Sequence, residues 1–421
     1  MIEDRTPGNL SEFTAPSAVS HGAARNVASV AGEALSCLAD PPMASEAHPP
    51  QSPVEPALIA RPITLDTKPQ SIPCTIMRAG TSRGPFFDAR SLPAQGPELH
   101  RLLTRVMGSG HLLQLDGIGG GSAVTSKVAI VGPSTERDVD VDYTFAQVGI
   151  LTETVDMGPT CGNLLAGVGP FAIEMGMVKA TPGQTVVRIR AANTGALVTA
   201  TLQTPGGDVC YDGDILLDGV TRRAAPVHLS FEALNGSKTG SMFPTGARSD
   251  IVDGIAVTCM DVAVPMVFAR AEVFGKTGYE AAATYNADSA LLARLERIRQ
   301  ECSLLMGLGD ATHRVIPKMA LLASGRYTAG ISSRYFVPDR CHPSHAVTGA
   351  IAVGACTLTS GTVGSQLLAA PRGSEIELPI EHPSGVLMVS FTLTGTSDDI
   401  RIKKAAVVRT VRKIMTGHVF A

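Results

Sequence analysis

Hydrophobic and polar residues alternate in short runs from Ile72 onward, and glycine and proline residues bound most of these runs. Alternation with a period of two, interrupted by turn residues, is typical of β-strands. One segment, 95–107, has apolar residues at helical spacing instead and predicts an amphipathic helix. In the first half of the chain the alternation predicts strands at 72–78, 85–88, 126–131, 139–149, 185–191 and 196–203.

Two segments, 163–176 and 345–358, consist mostly of apolar and small residues on every face. A helix without a polar stripe has to be surrounded by protein, so both segments predict buried central helices. Two β-rich halves with one such helix each indicate an internal duplication, an α+β fold and a ligand site at the junction. The second half predicts a helix at 286–305 and strands at 253–259, 264–273, 314–322, 326–332, 375–379, 386–394 and 404–410.

The chain divides into a tail and two domains in this interpretation. Residues 1–70 are rich in Ala, Pro and Ser and have too little apolar surface to form a core, which predicts a disordered tail. Residues 71–240 are expected to form the first domain and residues 241–404 the second, with a linker at about 204–250. The C-terminal residues 405–421 are candidates to return to the first domain.

Composition and charge exclude several classes of partner. The net charge is −3, only 4% of residues are aromatic and Trp is absent, so we expect no nucleic-acid binding. No apolar stretch is long enough to span a membrane. The eight cysteines include no CxxC pair, which argues against a structural zinc site and favours reduced thiols. Glu3 and Asp4 argue against a signal peptide, so a cytoplasmic location is the default expectation.

Cys161 directly precedes the first apolar helix, in the sequence Cys161-Gly162-Asn163. A thiol at a helix N-terminus loses its proton more readily than a free thiol, which makes Cys161 a candidate acid or base. A buried core cysteine is the alternative. Asn163 is a candidate substrate ligand, with a plain helix cap as the alternative.

Lys127 follows a glycine-rich loop and begins the apolar run Val128–Val131. The ordinary interpretation is an exposed lysine at the start of a strand. A lysine beside a buried anion site would instead titrate near neutrality and could transfer protons. The loop 116–122 also suggests a dinucleotide site, but that fingerprint needs a helix after the glycines, and here a strand is predicted.

Three glycine-rich segments, 77–84, 116–122 and 160–163, bring backbone N–H groups and polar side chains together. Such segments suit a small molecule that carries carboxylates. For each candidate ligand a turn or cap role is the alternative, and for His345 an acid role is another. The candidate substrate-binding residues are Arg78, Thr81, Ser82, Ser122, Ser126, Gly162, Asn163, Lys318, His345 and Thr348.

These segments, in this order from about residue 72 to 417, resemble the PrpF family of isomerases. The resemblance implies an α+β fold of the diaminopimelate-epimerase type, in which two similar β-barrel domains each surround a central helix. It also implies an isomerase without metal or cofactor, whose acid/base pair maps onto Lys127 and Cys161. The resemblance rests on Ile72–Gly84, Asp116–Gly121, Thr125–Val131, Cys161–Ala166, Val168–Ile173, Phe243–Gly246, Pro317–Ala320 and Thr348–Ile351.

The related epimerases use one cysteine from each domain, whereas the second apolar helix here opens with Ala346-Val347-Thr348. A two-thiol racemase is therefore disfavoured. We expect a 1,3-shift of a C=C bond in a small unsaturated di- or tricarboxylate, with conversion of cis-aconitate to trans-aconitate as the first candidate. The alternatives are a 4-oxalomesaconate tautomerase, a methylitaconate isomerase, or a non-catalytic accessory protein of an aconitase-type dehydratase. The only partner expected is the substrate, and a homodimer is left open.

Overall fold

The computed structural model describes residues 70–312, 314–337, 339–368, 373–395 and 400–421. The predicted tail therefore lies outside the described residues, except for Gln70. Among the described residues, no helix is long and apolar enough to cross a membrane. The helices are α1 Pro97–Met107, α2 Gly162–Leu165, α3 Val168–Glu174, α4 Ala282–Asn286, α5 Ser289–Leu305 and α6 Val347–Leu358.

The strands form one continuous sheet around a hydrophobic core that includes residues of both halves. In the first half they are β1 Ser71–Ala79, β2 Ser82–Asp88, β3 Lys127–Pro133, β4 Val141–Val148, β5 Val155–Asp156, β6 Gly183–Ala191, β7 Ala196–Thr204 and β8 Pro226–Glu232. In the second half they are β9 Asp250–Val252, β10 Ile255–Val262, β11 Val264–Arg270, β12 Lys318–Ser324, β13 Ile331–Phe336, β14 Glu375–His382, β15 Gly385–Thr394 and β16 Arg401–Phe420.

The last strand, β16, joins the two halves. Its residues 404–410 pair with β8 and its residues 411–420 pair with β1, which closes the ring β1-β2-β3-β4-β6-β7-β8-β16. Its residues 401–406 pair with β15 and so continue the sheet into the second half. The division of the chain at residue 240 stays a prediction.

The two halves repeat one pattern of strand directions, which confirms the expected pseudo-repeat. In the first half β2–β3 is parallel, β3–β4 antiparallel and β4–β6 parallel. In the second half β11–β12 is parallel, β12–β13 antiparallel and β13–β14 parallel. Thus β3 corresponds to β12 and β4 to β13. This correspondence relates site residues from the two halves.

The central apolar helices both contribute to this core, but the first of them is interrupted. All residues of α6 are buried, whereas the predicted helix over 163–176 is divided into α2 and α3. Pro170 has no N–H to donate to the carbonyl of Ala166, so the regular ladder cannot run through this point. The N–H groups of Ala166 and Gly167 donate to carbonyls three residues back, which tightens the chain between the two helices.

The N-termini of α2 and α6 meet at the junction of the two halves. A Cβ atom added to Gly162 would lie 2.7 Å from Cβ of Val347, so only glycine allows this approach. Three strands were missed by the sequence analysis: the two-residue β5, β8 within the predicted linker, and β9 at its end. The fold therefore brings two helix starts and the residues before them, Cys161 and Ala346, to one place.

Candidate active site

Each half contributes one buried lysine in an equivalent position. Lys127 opens β3 and is 6% exposed, and Lys318 opens the corresponding strand β12 and is 7% exposed. Nζ of Lys127 lies 5.1 Å from the ring centre of Phe145, and Nζ of Lys318 lies 5.4 Å from that of Tyr335. Both rings come from the neighbouring antiparallel strand, opposite the second residue after the lysine. The duplication has therefore placed two amines at the junction.

The electrostatics of the two amines show that both act on the same thiol. The pKa of Lys127 is lowered to about 8, because burial lowers it, the interaction with Cys161 raises it in part, and the positive charge of Lys318 lowers it. Burial also lowers the pKa of Lys318, and Cys161 and Asp156 counteract this shift. An amine with a pKa near 8 exchanges protons readily at neutral pH. The structure brings Lys127, Cys161 and Lys318 into one charged cluster.

Gln147 holds the amine of Lys127 in place, and the sequence analysis did not find it. Nζ of Lys127 donates to Oε1 of Gln147 at 2.6 Å. The amide nitrogen of Gln147 donates to the carbonyls of Ser126 at 2.8 Å and Ala123 at 3.2 Å, which fixes the orientation of the amide. The alternation of β4 was the available signal, because Tyr143, Phe145 and Gln147 share one face of the strand.

Cys161 is 8% exposed and is the residue that precedes α2. Its side chain makes no capping hydrogen bond, and its carbonyl accepts from Oη of Tyr143 at 3.2 Å and from the N–H of Leu165 at 3.0 Å. Because α2 has only four residues, its dipole is a smaller influence than the sequence suggested. The positive environment of the thiol comes mainly from the two lysines.

Asn163 ties the two halves together beside the thiol. Its Nδ2 donates to Oγ1 of Thr81 and to the carbonyl of His345, both at 3.2 Å, and its Oδ1 accepts from the N–H of Thr81 at 3.4 Å. A Cβ atom on Gly80 would lie 2.1 Å from Oδ1, so glycine is required there. Asn163 is the second residue of α2 and so is not its cap. Contact with substrate stays a prediction.

His345 is buried and neutral. Its Nδ1 lies 2.9 Å from the carbonyl of Ala346, which can only accept, so Nδ1 carries the proton. Its Nε2 therefore accepts from Oγ of Ser333 at 2.9 Å. Burial lowers the pKa of His345 to about 3, so it supplies no positive charge at neutral pH. Burial also holds the pKa of the neighbouring His342 well below its usual value, helped by the charge of Lys127.

The remaining predicted ligands differ in how fully the protein already engages them. Arg78 donates to the carbonyl and the hydroxyl of Thr410. Ser126 donates to the carbonyl of Val148 at 2.8 Å and accepts from Gln114 at 2.8 Å. Oγ of Ser82 is buried with no hydrogen-bond partner among the described residues. The last two predicted ligands are Ser122 and Thr348. Oγ of Ser122, in a loop, accepts from the N–H of Val124 at 3.5 Å, and Thr348 lies in the first turn of α6.

The described residues contain no group of three or more His, Cys, Asp and Glu side chains that could hold a metal ion.

Tyr335 was also missed by the sequence analysis. Its ring lies against Lys318, its ring centre is 4.8 Å from that of His345, and its Oη is buried with no partner among the described residues. An unpartnered hydroxyl between a lysine and the thiol is a ready hydrogen-bond donor to a bound anion.

Comparison with known proteins gives one consistent result. The family model described as PrpF protein matches residues 70–421. A 4-oxalomesaconate tautomerase of Pseudomonas putida is 45% identical over 348 residues, which are 83% of this chain and 95% of the relative. The crystal structure of a methylitaconate-delta-isomerase has a TM-score of 0.66 at 35% identity and covers 84% of this chain and 96% of its own.

A hydroxyproline epimerase from Agrobacterium vitis matches with a TM-score of 0.51 at 14% identity, over 83% of this chain and 92% of its own. That likeness concerns the fold alone. It agrees with the two pseudo-repeated halves and their central helices. The family match and the identities show that the chain belongs to the PrpF family and is an isomerase with the diaminopimelate-epimerase-like fold.

Proposed function

We propose that this isomerase moves a C=C bond in a small unsaturated di- or tricarboxylate by proton transfer between an amine and a thiol. The observation that carries the proposal is the cluster of Lys127, Cys161 and Lys318, buried together at the junction of the two halves. Lys127 removes the allylic proton, because its lowered pKa leaves part of the amine unprotonated near neutral pH. Cys161 then donates a proton to the far carbon.

The step balances without a metal or a redox partner. One C–H bond breaks as Lys127 becomes an ammonium, and the electron pair delocalises into the conjugated carboxylate as a dienolate. A second C–H bond forms at the opposite end of the three-carbon allylic system, which shifts the double bond, as Cys161 becomes a thiolate. Transfer of the proton from Lys127 to Cys161, directly or through water, restores the starting state.

Two features of the second half stabilise the anionic substrate and the dienolate. The ammonium of Lys318 offers a positive charge that is not used by any carboxylate hydrogen bond among the described residues. The first N–H groups of α6, at Val347 and Thr348, have no acceptor within the helix. Donors arranged in advance around a developing oxyanion are the usual source of such stabilisation. Tyr335 supplies a further hydroxyl.

Aconitate is the first substrate that we propose, because its three carboxylates suit Lys318, the start of α6 and the hydroxyl of Tyr335. 4-Oxalomesaconate is the second candidate, and the 45% identity to a tautomerase of that acid favours it. Methylitaconate is the third, since the solved isomerase of that acid covers 84% of this chain. The shared chemistry is a proton on a carbon next to the double bond.

The test is a panel of aconitate, 4-oxalomesaconate and methylitaconate in deuterated water, followed by proton NMR. We expect one acid to gain a single deuterium at the carbon that receives the proton, together with a shifted double bond. The Cys210→Ala variant removes a half-buried thiol outside the proposed site and serves as the control, because it should give the same exchange as the wild type. Inversion at a stereocentre without a shifted bond would identify an epimerase. Failure of all three acids to exchange would favour an accessory protein and overturn the proposal.

A further inference from the structure

A groove of about 570 Å³ lies where β7, β8, β16, β15 and β14 run side by side across the two halves. Residues of all five strands form its floor, and the segment Leu216–Asp218 borders it. Arg409, His345 and His382 line it together with Thr81 and Ser344. Lys127, Cys161 and Lys318 do not line it, so the groove adjoins the candidate active site without including its three buried ionisable groups.

Arg409 carries a buried positive charge that the protein leaves largely unengaged. The residue is 6% exposed, and one guanidinium nitrogen donates to the carbonyl of Val408 at 2.8 Å. Its Nε has no hydrogen-bond partner among the described residues. Burial lowers its pKa to about 10, so the guanidinium stays protonated at neutral pH. A buried charge without a partner is costly, and such a group calls for an anion.

The neighbours of Arg409 determine how much negative charge the site accepts. Burial and the charge of Arg409 lower the pKa of His382 to about 4, and the pKa of His345 is about 3. Both rings are neutral at pH 7, so among the residues that line the inner end Arg409 carries the positive charge. Arg334, which does not line the groove, lowers the pKa of both rings as well. A carboxylate matches the charge of Arg409 and can accept two parallel N–H hydrogen bonds from a guanidinium.

The outer part of the groove carries charges of both signs. Lys404 and His228 stand on one side, and Glu377 and Asp218 on the other. One carboxylate oxygen of Asp218 already accepts from the N–H of Val386 at 2.6 Å. Oγ of Ser230, on the floor, is buried without a hydrogen-bond partner among the described residues. The outer part is therefore polar but close to neutral, and the inner end provides the anion preference.

We propose that this groove is a second carboxylate-binding site of the chain, with Arg409 as the residue that binds the carboxylate. The proposal goes beyond the isomerase reaction and does not depend on it. The groove adjoins the proposed active site. Two of the residues that line it, Thr81 and His345, each accept a hydrogen bond from Asn163. A bound acid would therefore touch the residues that hold the start of α2.

The experiment uses succinate, a saturated dicarboxylate that cannot be isomerised, and the full chain with its fourteen methionines labelled at the 13C methyl group. Met388 lines the groove and is 45% exposed, so its methyl signal reports on occupancy. The Met388→Leu variant assigns that signal. We expect succinate to shift the Met388 signal in a saturable way, both in the wild type and in the Lys127→Ala/Lys318→Ala double variant.

In Arg409→Gln we expect the apparent Kd for the Met388 response to rise by about tenfold to a hundredfold, the usual effect of losing a charge-assisted hydrogen bond. Ala406→Phe fills the groove from its floor and keeps the charge of Arg409, and it should abolish the response. This variant tests the proposal even if Arg409→Gln fails to fold. The proposal is overturned if Met388 does not respond in the wild type, or if the response persists unchanged in these groove variants. It is equally overturned if the response disappears in the double lysine variant, because succinate would then be acting through the active site alone.

Discussion

The two halves of the fold present the same lysine but different residues at the helix start. Lys127 and Lys318 open equivalent strands, are both buried, and each lies near an aromatic ring. The residue before the central helix is Cys161 in the first half and Ala346 in the second. Symmetric chemistry with two thiols on opposite faces of a carbon is therefore unavailable. In the proposed mechanism, this difference leaves an amine and a thiol as the acid/base pair and the second amine for binding.

The strongest test of the different roles proposed for the two lysines is to remove each lysine separately. Lys127→Ala should lower kcat by about a hundredfold to ten-thousandfold, the usual contribution of a general base. Lys413→Ala, which removes a lysine paired with Glu174 outside the site, should leave kcat unchanged. Steady-state rates on the acid identified by the panel measure both. A Lys127→Ala enzyme with the wild-type kcat would show that the first lysine is not the base.

Lys318→Ala should have a smaller effect, and mainly on KM. Loss of a charge that holds the substrate in both ground and transition states raises KM while kcat changes little. A charge-assisted contact to a carboxylate corresponds to a rise of about tenfold to a hundredfold. The same rate measurements separate the two lysines. If kcat fell as far as in Lys127→Ala, both amines would be transferring protons and the assignment of roles would be wrong.

The contact between the helix starts can be tested by stability. Gly162→Ala should lower the free energy of unfolding by about 1–3 kcal/mol, because the new Cβ lies 2.7 Å from Cβ of Val347. Urea denaturation followed by circular dichroism measures the change. In a Val347→Gly background the same substitution should cost less, since that background lacks the Cβ and Cγ1 atoms that the new Cβ approaches to 2.7 and 2.9 Å. Equal costs in both backgrounds would show that the two helix starts are not in contact.

The smallest expected effect is on the pH dependence. Because Lys127 must be unprotonated to act as the base, kcat/KM should rise with pH through about 8. Lys318 lowers the pKa of Lys127, so Lys318→Ala should move the midpoint to higher pH. A shift of the midpoint to lower pH in Lys318→Ala would show that Lys318 does not act on Lys127.

The sequence predicted the fold class and the two central groups of the site because each has a local signal. Lys127 follows a glycine-rich loop, and Cys161 precedes an apolar helix. Pro170 was a local signal for the broken helix as well. Gln147 and Tyr335 were not predicted, because their roles depend on which residues lie opposite them in neighbouring strands. That register comes from long-range strand pairing. Arg409 escaped because a charged residue in an alternating strand is normally exposed.

The most direct test of the amine–thiol pair is hydrogen exchange in the Cys161→Ala variant. In deuterated water, proton NMR measures both loss of the allylic proton and formation of the shifted double bond. If Lys127 is the base and Cys161 the acid, Cys161→Ala continues to exchange the allylic proton while isomerisation is lost, and Lys127→Ala loses both. Exchange that is lost in Cys161→Ala but kept in Lys127→Ala would contradict the assignment.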